Sequence, residues 1–259
     1  MVPTRRLPWL LAQEWSRLLF AHWPVEPGRL ARFLPAGVEP DVYEDRAWLA
    51  IVAFRMVGTR PLLPPRRPLL PPIPELNVRT YVRVGGEPGV WFLSLDASSP
   101  FFVRAGRALY GLPYRLARMT TVMDEERTHY LSTRRDAYFA ATYEPCGRSQ
   151  CPQPGSLEHF LVERYRLFSL RGRRLLTAVV AHEPWPLQPA AARLDVNAMA
   201  PPGLDFRGPP LLHFAKSVAA RISVPRPVSK LESEEWSPLQ GSANRSNARR
   251  SRRAVPQRA

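Results

Sequence analysis

Glu75, Asn77 and Arg79 place a carboxylate, an amide and a guanidinium at alternate positions of the run Glu75 to Val84. Strand geometry puts such groups on one face, stepping about 7 Å at a time. An arginine fork there can hold a carboxylate or a developing oxyanion, and a glutamate can carry a proton. On a solvent-facing strand the three would form surface pairs. Inside a small barrel they would line a ligand cavity, the placement that the apolar segments on either side favour. A second polar group, Glu163-Arg164-Tyr165, reads as strand, with Glu163 and Tyr165 pointing one way. A buried Glu163 needs a positive partner, for which Arg79 and Arg107 are candidates. Asp96 ends the strand FLSLD and suits a turn or cap as well as catalysis. His182 reads first as a structural histidine and second as a general base.

These groups need elements to hold them. Glu75 to Val84 reads as a strand, Gly85 to Gly89 as a turn, Val90 to Leu95 as the returning strand, and Val103 to Tyr110 as a helix stopped at Gly111-Leu112-Pro113. Upstream, Trp15 to Trp23 is apolar on one side of a helix or a strand, and Gly28 to Leu34 is a short amphipathic helix. Val38 to Val42 and Ala47 to Val57 read as strands around Glu44-Asp45-Arg46. The second is nearly continuous in apolar residues, which implies burial on both faces or partial cover. Gly58 to Pro74 carries seven prolines and reads as an extended loop. Downstream, strands are expected at Ala117 to Asp124, Thr128 to Arg134 and Tyr138 to Tyr143, and a capped turn at Ser156 to Phe160. Leu161 to Leu170 and Arg173 to His182 read as a hairpin, Gln188 to Pro202 as partly helical, and Leu211 to Val218 as a closing strand. Residues 1–228 therefore read as one mainly β domain, a closed or strongly curved antiparallel sheet with small helices outside. Residues 229–259, poor in apolar groups, read as a disordered basic tail.

Composition narrows the function classes. Thirty prolines in 259 residues argue against a helical bundle. The net charge of +15 comes almost wholly from arginine, since Lys216 and Lys230 are the only lysines. The arginines are scattered and form no stripe interleaved with aromatics, so compositional bias is preferred to a nucleic-acid surface. No apolar run approaches the roughly eighteen residues of a membrane span. Gln13-Glu14 cut the apolar start short with no small-residue cleavage pattern, so a mature cytoplasmic protein is expected. Cys146 and Cys151 lack enough neighbouring ligands for zinc and read as free thiols. HExxH, GxSxG, P-loop and dinucleotide fingerprints are absent, so neither metal nor cofactor is expected.

The ordered segments ELNVRTYV, FLSLDASS, ALYGLPYRLARM, SLEHFLVERYRLF and VVAHEPWPL resemble the YqjF-like family of uncharacterised bacterial proteins, within the acetoacetate decarboxylase-like superfamily. The resemblance spans roughly Trp15 to Pro227 and implies a cone-shaped antiparallel β-barrel with its polar site inside. Decarboxylase relatives carry a Schiff-base lysine and a second lysine after a Gly-x-Pro at the end of such a helix. Tyr114 and Arg115 stand at the similar positions here. Neither supplies the neutral primary amine that Schiff-base chemistry requires.

Three functions follow from this reading. The first is binding of a small carboxylate or ketone by Glu75, Asn77, Arg79, Arg107, Tyr114, Arg115, Glu163 and Tyr165. The second is a lyase- or hydrolase-type enzyme with Glu75 as acid/base and Arg79 or Arg115 holding an oxyanion, Tyr114 being a further catalytic candidate. The third is a nucleic-acid or scaffold role for the arginines and tail. Homo-oligomer formation is compatible with all three.

Overall fold

The apolar run from Ala47 is buried on both faces because it belongs to a barrel wall that a second sheet covers from outside. A computed structural model describes residues 8–62, 67, 68 and 71–228. The basic tail expected from Ser229 and the middle of the proline-rich segment lie outside the described residues.

In chain order the elements begin with β1 (Trp9–Val25), α1 (Pro27–Ala31), β2 (Glu39–Pro40), β3 (Ala47–Pro61), β4 (Ile73–Val84) and β5 (Glu87–Ala97). Then come α2 (Pro100–Tyr110), β6 (Tyr114–Leu116), β7 (Arg118–Asp124), β8 (Arg127–Arg134), β9 (Ala137–Pro145) and α3 (Leu157–Val162). The chain closes with β10 (Arg166–Arg171), β11 (Arg174–His182), β12 (Leu187–Asn197), β13 (Leu211–Ser223) and β14 (Arg226–Pro227). Among the described residues no helix is long and apolar enough to cross a membrane.

Seven of these strands pair in a ring, in the order β1, β3, β4, β5, β10, β11, β13 and back to β1. Strand directions cannot alternate all the way round a ring with an odd number of members. One seam must be parallel, and it is β5 with β10, where Leu167 faces Val90 and Phe168 faces Trp91. The chains crowd there. A Cβ on Gly89 would stand 2.6 Å from the Phe168 ring and 2.8 Å from the Arg166 carbonyl oxygen, so the seam needs a glycine.

Of the other strands, β12, β9, β8 and β7 form a sheet against the outside of the wall, while the short β2, β6 and β14 pair with β4, β5 and β11. Alternation along β3 and β4 divides their side chains between the two layers. Ala50, Val52 and Phe54 join the core inside the ring with Phe20, Tyr81 and Trp185. Ile51, Ala53, Leu76 and Val78 pack outward against Tyr130, Phe139 and Tyr143 of the covering sheet. Long β1 serves both layers by bulging at Arg17, whose φ of 56° is left-handed. Such backbone costs a non-glycine residue roughly 1–2 kcal/mol and needs support. The covering sheet supplies it: Tyr143 Oη donates to the Arg17 carbonyl (2.7 Å), and Arg17 Nε donates to Thr128 Oγ1 (2.9 Å).

Several local expectations change. Gln188 to Pro202 is not helical: Gln188 to Asn197 is strand, because β12 carries the covering sheet from its pairing with β9 to the barrel strand β13, and the rest is loop. The expected strand Val38 to Val42 shrinks to Glu39–Pro40 and pairs with β4. The proline-rich loop is shorter than expected, since β3 runs on to Pro61 and β4 starts at Ile73. Leu161 and Val162 finish a helix, and Glu163 to Tyr165 lead into β10 without being part of it.

Candidate functional site

Glu75 and Arg79 face the inside of the ring. Glu75 is 4% exposed, and both residues line a cavity of about 120 Å³. A cavity of ~150 Å³ holds a benzene ring, so this one encloses roughly five or six non-hydrogen atoms, the scale of a small metabolite. Helix α2 covers one side. It starts at Pro100 with the Ser99 side chain accepting from the Phe102 N–H (3.3 Å), and it ends at Gly111 with φ 67°. Its apolar stripe Phe102, Ala105, Leu109, spaced three and four apart, faces the cavity together with Gly106 and Tyr110.

Two polar poles lie on β4, four residues or roughly 13 Å apart along the strand. At the first, Tyr114 Oη donates to Glu75 Oε2 over 2.7 Å in a buried contact. Burial raises the Glu75 carboxyl to about 7, against the opposing help that Tyr114 and then Asn77 give its charged form. Burial, followed by the Glu75 charge, pushes the Tyr114 phenol well above its ordinary value, so it stays a donor. Tyr130 of the covering sheet fixes this end of β4 by donating to the Glu75 carbonyl (2.7 Å).

At the second pole the Arg79 guanidinium lies 5.7 Å from the ring centres of both Phe20 and Tyr81. Tyr81 in turn shares a 2.8 Å hydrogen bond with buried His22. Neighbouring Arg164 is neutralised by Asp41 (2.6 Å), whereas Arg79 has no ion pair among the described residues. Its Nε is buried without a hydrogen-bond partner, as are Trp15 Nε1, Trp185 Nε1 and Gln13 Oε1, all on residues of the cavity wall. Trp15 and Trp185 stack at 6.1 Å, and His182 packs 5.0 Å from Trp185. Burial lowers the His182 pKa, which keeps its ring neutral.

The residues expected from sequence divide into three groups. Glu75, Arg79 and Tyr114 line the cavity, with Asn77 buried beside Glu75. Glu163 is paired with neither Arg79 nor Arg107. It accepts hydrogen bonds from Tyr165 Oη and from the Trp185 N–H (2.9 Å), and Tyr165 stacks on His182 at 4.6 Å, so this pair backs the wall. Arg107 and Arg115 are exposed and outside the cavity; Arg107 ties α2 to β6 by donating to the Tyr114 carbonyl (2.7 Å). Asp96 is held by Arg134 (3.0 Å) and Ser132 (3.0 Å) away from the cavity. Arg164 of the second polar group lines the wall, and Gln13, Trp15 and Trp185 join it without a signal of their own in the sequence. Among the described residues, no group of three or more His, Cys, Asp or Glu is placed to hold a metal.

The Tyr114 ring lies against bare backbone. A Cβ on Gly106 would come within 2.5 Å of it. Gly106→Ala is therefore expected to cost about 1–3 kcal/mol by overpacking, less about 1 kcal/mol recovered from helix propensity. A urea titration showing no loss would mean that the ring is free to give way.

With fold and site described, relatives can be placed. The DUF2071 family model, "Uncharacterized conserved protein", matches residues 12–219. The chain belongs to this family. "Uncharacterized protein YqjF" of Bacillus subtilis is 36% identical over 213 residues, covering 80% of this chain and 88% of the relative. Among solved structures, the enduracididine biosynthesis enzyme MppR complexed with pyruvate is similar with a TM-score of 0.61 at 12% identity, over 87% of this chain and 93% of its own. Acetoacetate decarboxylase from Legionella pneumophila gives 0.60 at 16%, over 88% and 92%. At such identities the likeness is one of fold, and this DUF2071 chain has the acetoacetate decarboxylase-like fold.

Proposed function

We propose that the barrel binds a small carboxylate or carbonyl metabolite in its internal cavity. The observation that carries this reading is Arg79, a guanidinium in an apolar wall with no carboxylate partner among the described residues. A ligand carboxylate would supply the missing charge and accept from donors that are otherwise buried without partners. The pyruvate bound to MppR, a protein of the same fold, is a ligand of the same class. Amine-catalysed decarboxylation is no part of the reading. Tyr114 and Arg115 occupy the positions where the family resemblance expects lysines, and Lys216 on β13 is exposed.

The test is calorimetric titration of the full chain with pyruvate, acetoacetate and acetate. Saturable binding that Arg79→Gln weakens at least tenfold is expected, since a charge-assisted hydrogen bond contributes about 1.5–3 kcal/mol. No binding by verified folded protein, or equal binding by the variant, would defeat the proposal.

A second reading rests on Glu75. With its carboxyl at about 7, Glu75 is poised to give or take a proton near neutrality, as an acid/base in a lyase- or hydrolase-type reaction requires. Glu75→Gln would then abolish turnover of a bound acid while leaving binding in place.

A further inference from the structure

From the composition of the cavity wall we infer that the ligand is an acid with an apolar tail, its first carbons filling the cavity and any further ones following the apolar surface of Leu109 toward solvent. This inference rests on the reading of the cavity as an acid site and adds what the acid must look like beyond its carboxylate.

The polar groups do not cover the wall. Much of the lining is apolar: Leu11 of β1, Val90 and Phe92 of β5, Val180 of β11 and the α2 residues Phe102 and Leu109. Acetate held at Arg79 would leave part of this surface in contact with water or void. Both are unfavourable for apolar walls, through lost burial and lost dispersion contacts. A polar tail would lose its hydration against Leu11, Val90, Phe92, Val180, Phe102 and Leu109, none of which offers a hydrogen-bonding side chain. A hydrocarbon tail has neither fault.

The far pole also fits. Below about pH 7 Glu75 is mostly protonated and its Oε2 accepts from Tyr114 Oη, so at pH 6 this pole presents a neutral group to a passing chain. Leu109, 47% exposed, lines the cavity from the outer part of α2 and continues the apolar surface toward solvent.

The test uses the full chain at pH 6 with sodium acetate, butyrate, hexanoate and octanoate, and with hexanol as the tail without its charge. Affinity is expected to rise about fourfold per added methylene until the cavity is filled, with one molecule bound per chain. Hexanol is expected to bind more weakly than hexanoate. Arg79→Gln should weaken every acid by a similar factor while the increment per methylene persists. Equal affinity for acetate and octanoate would overturn the tail and leave the acid site standing. So would unsaturable octanoate binding beside saturable acetate binding. Failure of every acid, pyruvate and acetoacetate included, would instead remove the reading on which the inference rests.

Discussion

Glu75→Gln is expected to be more stable than the parent protein at pH 8 by roughly 3 kcal/mol, and to lose that advantage as the pH is lowered toward 4.5. In the folded protein the carboxyl is raised to about 7 by burial, while in the unfolded chain it titrates near its ordinary value of 4.5. Between these values the folded state holds a proton that the unfolded state has released. Stability therefore falls as pH rises through the window and is level again above about 7. A separation of two to three pKa units at about 1.4 kcal/mol each gives the size. Glutamine keeps an oxygen to accept from Tyr114 Oη, loses the ionisation, and leaves Tyr130 its contact with the backbone carbonyl.

Buried His22 and His213 and half-buried His182 have lowered pKa values and act in the opposite direction. Their folded states resist protons that the unfolded chain takes up below about 6.5, so they remove stability as pH falls. They are common to both proteins and cancel in the difference. Urea titrations of parent and variant from pH 4.5 to 8.5 would test the point, and a difference independent of pH would refute it. The same ionisation puts a negative charge on the cavity wall. Carboxylate affinity is thus expected to decline above about pH 7 in the parent and to stay level in Glu75→Gln.

Much of this site was legible because β alternation is local. ELNVRTYV names its own two faces, and only the choice of which face is inward depends on the rest of the fold. The continuous apolar run of β3 made the same point about cover on both sides, and the covering sheet bears it out. Tyr114 came from the family resemblance, and its hydrogen bond to Glu75 places it in the wall.

What was not legible is what the turns decide. Arg115 follows Tyr114 on β6, so if one points in the other must point out. Arg107 shares α2 with Ala105 and Leu109 but lies off their stripe. Glu163 was expected on a strand because Leu161 to Leu170 is apolar enough for one. The Ser156 cap instead starts a helix that carries the chain to Glu163. Gln188 to Pro202 looked helical by composition, and its strand state depends on partners far away in sequence. Trp15 and Trp185 meet only because the ring closes, and no local pattern encodes that contact.

Asp41→Asn is expected to cost about 3–5 kcal/mol, a large part of the stability of an ordinary domain. Asp41 is 3% exposed and holds two guanidiniums, Arg164 Nη1 to Oδ2 at 2.6 Å and Arg83 Nε to Oδ1 at 2.8 Å. The two contacts differ in weight. Arg83 is half exposed and can turn to water, whereas the Arg164 side chain is 7% exposed and boxed by Phe160 at 4.1 Å and Tyr81 at 5.3 Å. Burial lowers the Arg164 pKa, against the nearby Asp41 charge that raises it. Asparagine offers one oxygen in place of two and turns its amide donors toward the other guanidinium. Even with that oxygen turned to Arg164, its guanidinium would be a buried charge with no counter-charge, the Phe160 carbonyl (2.6 Å) being its other acceptor. Removing both charges avoids that state, and hydrophobic replacement of a buried pair is often neutral. The double variant Asp41→Asn/Arg164→Met should therefore recover more than half of the loss seen in Asp41→Asn alone. If the losses simply add, the cost came from Arg83 or from the β2 backbone and not from a stranded guanidinium. Because Arg164 also lines the cavity, the rescued protein separates two roles for it. Unchanged acid binding would make Arg164 a wall that Asp41 holds in place, and weakened binding would make it a second anion contact beside Arg79.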